Sequence, residues 1–389
     1  MRIALATDAW APQVNGVVRT LTETTNRLLA RGHEVELITP NQFRTVACPG
    51  YREIRLAVAP RFGARKTLTA FRPDIVHIAT EGPIGWSARR WCMKYDIPFT
   101  SAFHTRFPDY AAVRTGLSPD RFWPLMRRFH GPSRAVLAAT PRLMAELSLR
   151  GIAQTRLWQR GIDSRIFQPG LPPHPAMAKL PRPILLSVGR VAVEKNLDAF
   201  LSSSVNGTKV VVGDGPALAM MKARYPDAIF LGKLSGDALA SAYAAADIFV
   251  FPSLTDTFGL VMIEALACGV PVAGYRVAGP LDIVGENGRG ADGKLPAMIG
   301  AVHDDLSQAI DRAIASDRQL CAEYGGQFDW DECTDQFAAA LRDALGSGPI
   351  NSASKAKKCR TYRMKASAAN SGSVCKDAFI RDGSHFFVP

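Results

Sequence analysis

Two runs of strand–helix alternation, divided by a proline-rich stretch, constrain this chain more than any other feature. The opening "RIALAT" is a short apolar strand, and "HEVELITP" (His33–Pro40) is another. Between them "GVVRTLTETTNRLLARG" places Val17, Leu21, Leu28 and Leu29 at helical spacing and closes on Gly32, a helix-stop signal. A strand–helix–strand unit is the building block of a parallel sheet. "DIVHIAT", "PFTSAF" and "AVLAAT" continue the series, so residues 1–168 read as a doubly wound α/β domain. Six prolines then fall between Pro169 and Pro183, a density that fits an extended linker over 169–183. After it "ILLSVGR", "KVVVGDG", "AIFLGKL", "DIFVFPS" and "PVAGY" restart the alternation as a second such domain over 184–346. Its last helix, "DECTDQFAAALRDALG", puts Phe337, Leu341 and Leu345 on one face. A cleft between two domains of this kind is a default ligand site.

The rest of the chain, 347–389, is basic, rich in Ser and Ala and nearly aperiodic, which reads as a disordered tail. The net charge of +12 is uneven. Residues 1–130 hold 19 basic and 10 acidic side chains, 131–350 hold 20 and 23, and 351–389 hold 8 and 2. The basic first half favours an acidic surface or ligand. The seven cysteines are scattered, with no Cys-x-x-Cys pair, so neither a disulfide framework nor a zinc ribbon is supported. Reduced thiols in a cytoplasmic protein are the expectation. The apolar start is broken by Asp8, too soon for a signal peptide or a membrane span, and no later segment is long enough to span.

Three segments carry chemistry. "GRVAVEKN" follows the strand "ILLSV" and sets Arg190 and Lys195 where they can converge on one anion, a planar fork beside a mobile point charge. The plainer alternative is a solvated loop with two surface cations. "VVVGDGP" ends another strand with Gly213, where backbone can approach a ligand, but it is not a dinucleotide-binding Gly-x-Gly-x-x-Gly pattern. In "SLTDTFGLVMIEALACGVPVAG" the residues Phe258-Gly259-Leu260 precede a helix whose first turn would expose N–H groups to phosphate. Asp256 there reads either as a helix cap or as a ligand contact. Glu264 lies among apolar neighbours and demands a partner.

Taken with "TDAWAPQVNGVVRTL", "PDIVHIATEGPIG", "AFHTRFPDY" and "RGIDSRIFQPG", these segments resemble the retaining, nucleotide-sugar-dependent glycosyltransferases of the GT-B fold. The resemblance is to the family 4, group 1 type, which includes bacterial GDP-mannose-dependent mannosyltransferases and glycolipid-forming enzymes. It runs from about Met1 to Gly346 in order, and it departs at Asp256, where the family's paired-glutamate motif more often has Glu. The resemblance implies two Rossmann-like domains facing across a cleft. It implies that Arg190 and Lys195 hold the donor diphosphate, with Gly189 and Gly213 close by. Glu264 would accept from the ribose hydroxyls. Asp256 would contact the transferred sugar, beside the amides of Phe258, Gly259 and Leu260. Gly16 would let its loop approach the diphosphate, and His104 matches the active-site histidine. His104, Arg190, Lys195 and Asp256 are thus the expected catalytic set.

On the acceptor side the expectation names His77, Glu81, Arg106, Arg127 and Arg128. The segment "DRFWPLMRRFH" (Asp120–His130) interleaves arginines with aromatic residues and could lie on an anionic bilayer, or be a half-buried helix with solvated arginines. Asp329-Trp330-Asp331 looks like a metal motif of another glycosyltransferase fold, but its place before the terminal helix makes it a cap. No cofactor and no metal are expected, because cations and helix dipoles can stabilise the leaving diphosphate. The expected reaction moves a hexose, with retention, from GDP-mannose or, second, a UDP-hexose to a membrane glycolipid or diacylglycerol-type lipid. A nucleotide-sugar epimerase and a non-catalytic nucleotide-binding protein are the competing readings. Nucleic acid is not an expected partner. The expected location is the cytoplasm, peripheral on the inner face of the cytoplasmic membrane.

Overall fold

The protein's structure is a computed structural model that describes residues 1–13, 15–48 and 51–346. The basic stretch 347–389 lies outside the described residues.

The strands are β1 (Arg2–Ala6), β2 (Glu34–Ile38), β3 (Thr45–Cys48), β4 (Tyr51–Ala57), β5 (Ile75–Ile78), β6 (Phe99–Ala102), β7 (Val136–Ala138) and β8 (Thr155–Leu157), then β9 (Ile184–Val188), β10 (Thr208–Val212), β11 (Ile229–Gly232), β12 (Ile248–Phe251), β13 (Val272–Tyr275) and β14 (Gly300–His303). In the first half run the helices α1 (Gly16–Ala30), α2 (Arg61–Phe71), α3 (Pro83–Tyr95), α4 (Phe107–Thr115), α5 (Trp123–His130) and α6 (Pro141–Leu149). The second half adds α7 (Leu197–Leu201), α8 (Leu218–Arg224), α9 (Gly236–Ala245), α10 (Leu260–Ala267), α11 (Ala278–Ile283), α12 (Leu306–Ala313), α13 (Arg318–Gly325) and α14 (Trp330–Gly346).

Six strands form each main sheet, in the orders β2-β1-β5-β6-β7-β8 and β11-β10-β9-β12-β13-β14. Every pairing within both sheets is parallel, and a β3–β4 hairpin is inserted in the first half. Buried on both faces, these strands read as apolar runs rather than alternating ones. In β1, Ile3 and Leu5 pack on one side while Ala4 and Ala6 pack on the other. The second sheet divides likewise, with Val210 and Phe249 on one face and Val211 and Val250 on the opposite one.

The proline-rich segment is anchored by Met177, which is buried in the second core together with Phe167 just before the segment. Helix α14 crosses back. Its Trp330, Phe337 and Leu341 pack with Ile3, Leu5 and Ile75 under the first sheet, so sequence order assigns this helix to one domain and its packing to the other. Its buried stripe ends on Ala344 and leaves Leu345 partly exposed, and Leu29 of α1 is also exposed, both unlike the spacing argument. Gly161 marks where the chain's two crossings touch: a Cβ there would meet the backbone nitrogen of Trp330 at 2.5 Å. Ile162 donates its N–H to the Phe328 carbonyl at 2.9 Å, tying those crossings together.

Candidate active site

In an open parallel sheet, ligands bind beyond the carboxyl ends of strands where the strand order reverses. The first sheet reverses between β1 and β5, which lead into Gly16 and Glu81. The second reverses between β9 and β12, which lead into Gly189–Arg190 and Asp256–Leu260. Loops from the two sheets meet. The Thr257 hydroxyl donates to the His104 carbonyl at 2.7 Å, and a Cβ on Gly16 would lie 3.4 Å from Leu260 Cδ1. Gly16 and His104 of the first half therefore meet Thr257 and Leu260 of the second at one cleft.

Each cation of the "GRVAVEKN" segment is held by a carboxylate. Arg190 pairs with Glu194, and Lys195 Nζ donates to both Asp256 oxygens at 2.7 Å. Asp256 is not a helix cap, because α10 is capped by Gly259, whose left-handed backbone (φ 91°) turns the chain into the helix. Gly213 is required by proximity: a Cβ there would lie 1.8 Å from the Gly189 carbonyl oxygen. Phe258 is buried and meets the Phe328 ring edge-on.

Glu264 lies one turn into α10 among buried Met262, Ile263, Ala265 and Leu266, and is only 2% exposed. Burial pushes its carboxyl above the ordinary range, opposed by Arg19 and by Tyr243. Arg19 reaches it from α1 in the first half, and the Tyr243 hydroxyl donates to Oε2 at 3.0 Å. Beside the carboxylate the Tyr243 hydroxyl is itself pushed up, first by burial and then by the Glu264 charge. A buried carboxylate with one oxygen on a cation and the other on a hydroxyl still has lone pairs to accept from a ligand diol.

His104 follows β6 and is 8% exposed. Arg160 Nη2 donates to its Nδ1 at 3.1 Å, while its buried Nε2 has no partner among the described residues. Burial first, then the Arg160 and His77 neighbours, hold its ring well below the usual titration range.

The acceptor-side expectations fare differently. His77 is fully buried, bonded through Nδ1 to the Thr100 hydroxyl at 2.9 Å and packed edge-on against Trp158 and Phe337. It cannot touch an acceptor, because β5 is a central strand with both faces covered. Glu81 pairs with buried His130 at 3.2 Å. All three guanidinium nitrogens of Arg106 are taken, by Glu146 and Asp109. Arg127 and Arg128 are exposed on α5, where Arg127 reaches the Arg150 carbonyl at 3.3 Å. On that helix Trp123, Met126 and Phe129 face the interior, leaving Leu125 and the arginines outside, so its aromatic side is spent on the core. Asp329 caps α14 by accepting from the Asp331 and Glu332 amides at 2.6 and 3.0 Å. No helix among the described residues is long and apolar enough to cross a membrane.

Sequence reasoning passed over Arg19, Arg160 and Tyr243. Arg19 is three residues beyond Gly16, on the helix the same loop opens, and Arg160 is the first residue of the quoted "RGIDSRIFQPG". Either could have been found by asking which cation answers a buried acceptor.

Residues 14–165 match the description Glycosyltransferase Family 4, and residues 182–316 match Glycosyl transferases group 1. A GDP-mannose-dependent alpha-mannosyltransferase of Corynebacterium glutamicum is 31% identical over 318 residues, covering 75% of this chain and 76% of that protein. An alpha-monoglucosyldiacylglycerol synthase of Streptococcus pneumoniae is 27% identical over 317 residues, 71% of each. The sucrose-phosphate synthase structure from Thermosynechococcus elongatus superposes with a TM-score of 0.68 at 21% identity, over 89% of this chain and all of that one. Two doubly wound domains with their switch points turned to one cleft, matched by these descriptions in both halves, make the architecture GT-B, and the chain belongs to the family 4, group 1 glycosyltransferases.

Proposed function

We propose that this glycosyltransferase takes a hexose from a nucleotide sugar, GDP-mannose first and a UDP-hexose second, and transfers it with retention to a membrane glycolipid or diacylglycerol-type lipid. The observation that carries the reading is the Lys195–Asp256 pair, which joins the loop after β9, where Arg190 pairs with Glu194, to the loop that opens α10, with Glu264 one helical turn in. In this reading Arg190 and Lys195 stabilise the departing diphosphate, where preorganised charge in a water-poor site contributes most to rate. Releasing Lys195 to the diphosphate leaves Asp256 to orient a sugar hydroxyl. Glu264 accepts from the ribose. With two cations already at the leaving group, the reaction calls for no metal ion.

The donor preference is supported by the mannosyltransferase relative, and the lipid acceptor by the diacylglycerol-glycoside synthase relative. Exposed Arg127, Arg128 and Leu125 of α5 favour an anionic membrane surface, which would place the enzyme peripherally on the cytoplasmic side. A screen of GDP and UDP sugars for protection of the full chain against thermal unfolding tests the donor. A rise in Tm with GDP-mannose above that with UDP-sugars supports the order given, and no protection by any nucleotide sugar refutes the reading.

A further inference from the structure

We infer that Arg160 is a positioning residue that fixes His104 as a neutral Nε2–H donor, so that His104 gives the substrate a hydrogen bond and not a proton. The inference deepens the proposed function and rests on it for the identity of the substrate, a sugar hydroxyl in the cleft.

Hydrogen-bond logic carries it. A guanidinium can only donate, so the 3.1 Å contact from Arg160 Nη2 obliges His104 Nδ1 to accept. In a neutral ring the proton then resides on Nε2. That atom is buried and has no partner among the described residues, a donor held ready with nothing to donate to. Protonating Nδ1 would set an N–H against an arginine N–H, so the same contact that sets the tautomer also opposes the imidazolium.

Arg160 is built for this task. It is 6% exposed, and its Nη1 donates to the Trp158 and Gln159 carbonyls at 2.6 and 2.9 Å. Its guanidinium lies 4.9 Å from the centroid of the Trp158 ring, which meets His104 edge-on at 5.3 Å. Around the pair lie His77 of β5 beyond Trp158, the Thr257 hydroxyl on the His104 carbonyl and the Cys333 thiol of α14 beside Arg160, while Asp329 and Glu332 line a cavity with Arg160 on the side of α14. Among the described residues no carboxylate lies on His104 to favour its charged form. Arg160 lies at the crossing between domains, next to Gly161, where a Cβ would meet the Trp330 nitrogen and Ile162 bonds the Phe328 carbonyl.

The test is nitrogen-15 NMR of the full chain labelled at histidine, with His104 assigned by comparison with His104→Asn. We expect one protonated Nε2 and one bare Nδ1, unchanged between about pH 5.5 and 8, a window in which a free imidazole titrates. Arg160→Met should free Nδ1 to carry the proton so that both tautomers appear, move the His104 titration upward although burial still holds it low, lower kcat/KM by about tenfold or more, and bring the acid limb of its pH profile upward. Arg160→Lys, which keeps a donor, should recover part of both. A wild-type His104 that titrates in the window, or that carries its proton on Nδ1, overturns the inference. So does an Arg160→Met enzyme that loses turnover with tautomer and pH limb unchanged, the result a merely structural arginine would give. If Arg160→Met does not fold, the wild-type and Arg160→Lys spectra still decide. If no nucleotide sugar is turned over, the proposed function fails while the ring measurement stands on its own.

Discussion

Arg19 and Glu264, 245 positions apart, form an ion pair that joins the first strand–helix unit of one domain to the ligand-facing helix of the other. The guanidinium is about one-third exposed and stacks over the Phe167 ring, while the carboxylate is buried. Arg19→Met leaves a buried charge without its cation, a loss we expect to cost about 1–3 kcal/mol, below the full buried-pair value because Arg19 is partly solvated. Since burial already raises the Glu264 pKa, the variant should regain stability as the pH falls and the carboxyl takes a proton. Urea unfolding at several pH values, with Arg19→Met/Glu264→Gln alongside, checks this. Additive losses in the double variant would show that the pair is not coupled.

Lys195→Met should reduce kcat/KM by about 100-fold or more, in the range seen when a preorganised charge is removed from a leaving group. Binding of the free nucleoside diphosphate should weaken less than turnover does. Addition of a chelator should leave the wild-type rate intact. Steady-state kinetics and calorimetric titration of the diphosphate measure all three effects, and an enzyme silenced by the chelator would contradict the assigned role of the cations.

Gly213→Ala places a methyl 1.8 Å from the Gly189 carbonyl oxygen, so backbone must move. We expect a loss of about 1–3 kcal/mol in unfolding free energy, typical of overpacking, together with weaker diphosphate binding. A variant with unchanged urea midpoint and unchanged affinity would mean that the strand ends yield without consequence.

His77 is held at a pKa of about 3 by burial, against an ordinary value near 6.5. Below the ordinary value the unfolded chain takes up a proton that the native ring refuses, so native stability is lost as the pH falls. The contribution is about 1.4 kcal/mol per pH unit for this one ring. His77→Gln, which keeps a partner for Thr100 but cannot titrate, should show a shallower loss between about pH 6 and 4.5. Equal slopes for the two proteins would rule out His77 as the acid-labile group.

The strand–helix alternation was readable from its apolar runs, and the cations, glycines and carboxylates of the cleft from the short motifs that follow strand ends or open α10. The partners of those groups were not. Glu264 advertised its need through its apolar neighbours, but nothing local names Arg19 as the answer. The arginine-aromatic pattern of α5 is equally compatible with a membrane face and an inward face, and only tertiary packing put Trp123, Met126 and Phe129 inside. His77 matched a motif while lying in a central strand, where no acceptor can reach it. Helix α14 followed the second domain in sequence yet found its apolar partner in Ile3, Leu5 and Ile75 of the first.

Glu264 is the carboxylate assigned to receive the donor ribose behind the Lys195–Asp256 pair. Transfer of labelled hexose from GDP-mannose to a diacylglycerol-type or glycolipid acceptor in vesicles, followed with the wild-type chain and with Glu264→Gln, tests it directly. We predict acceptor-dependent release of nucleoside diphosphate in step with a glycolipid of retained anomeric configuration, and a Glu264→Gln enzyme whose donor KM rises steeply. Consumption of nucleotide sugar without acceptor, or a Glu264→Gln enzyme indistinguishable from wild type, would contradict it.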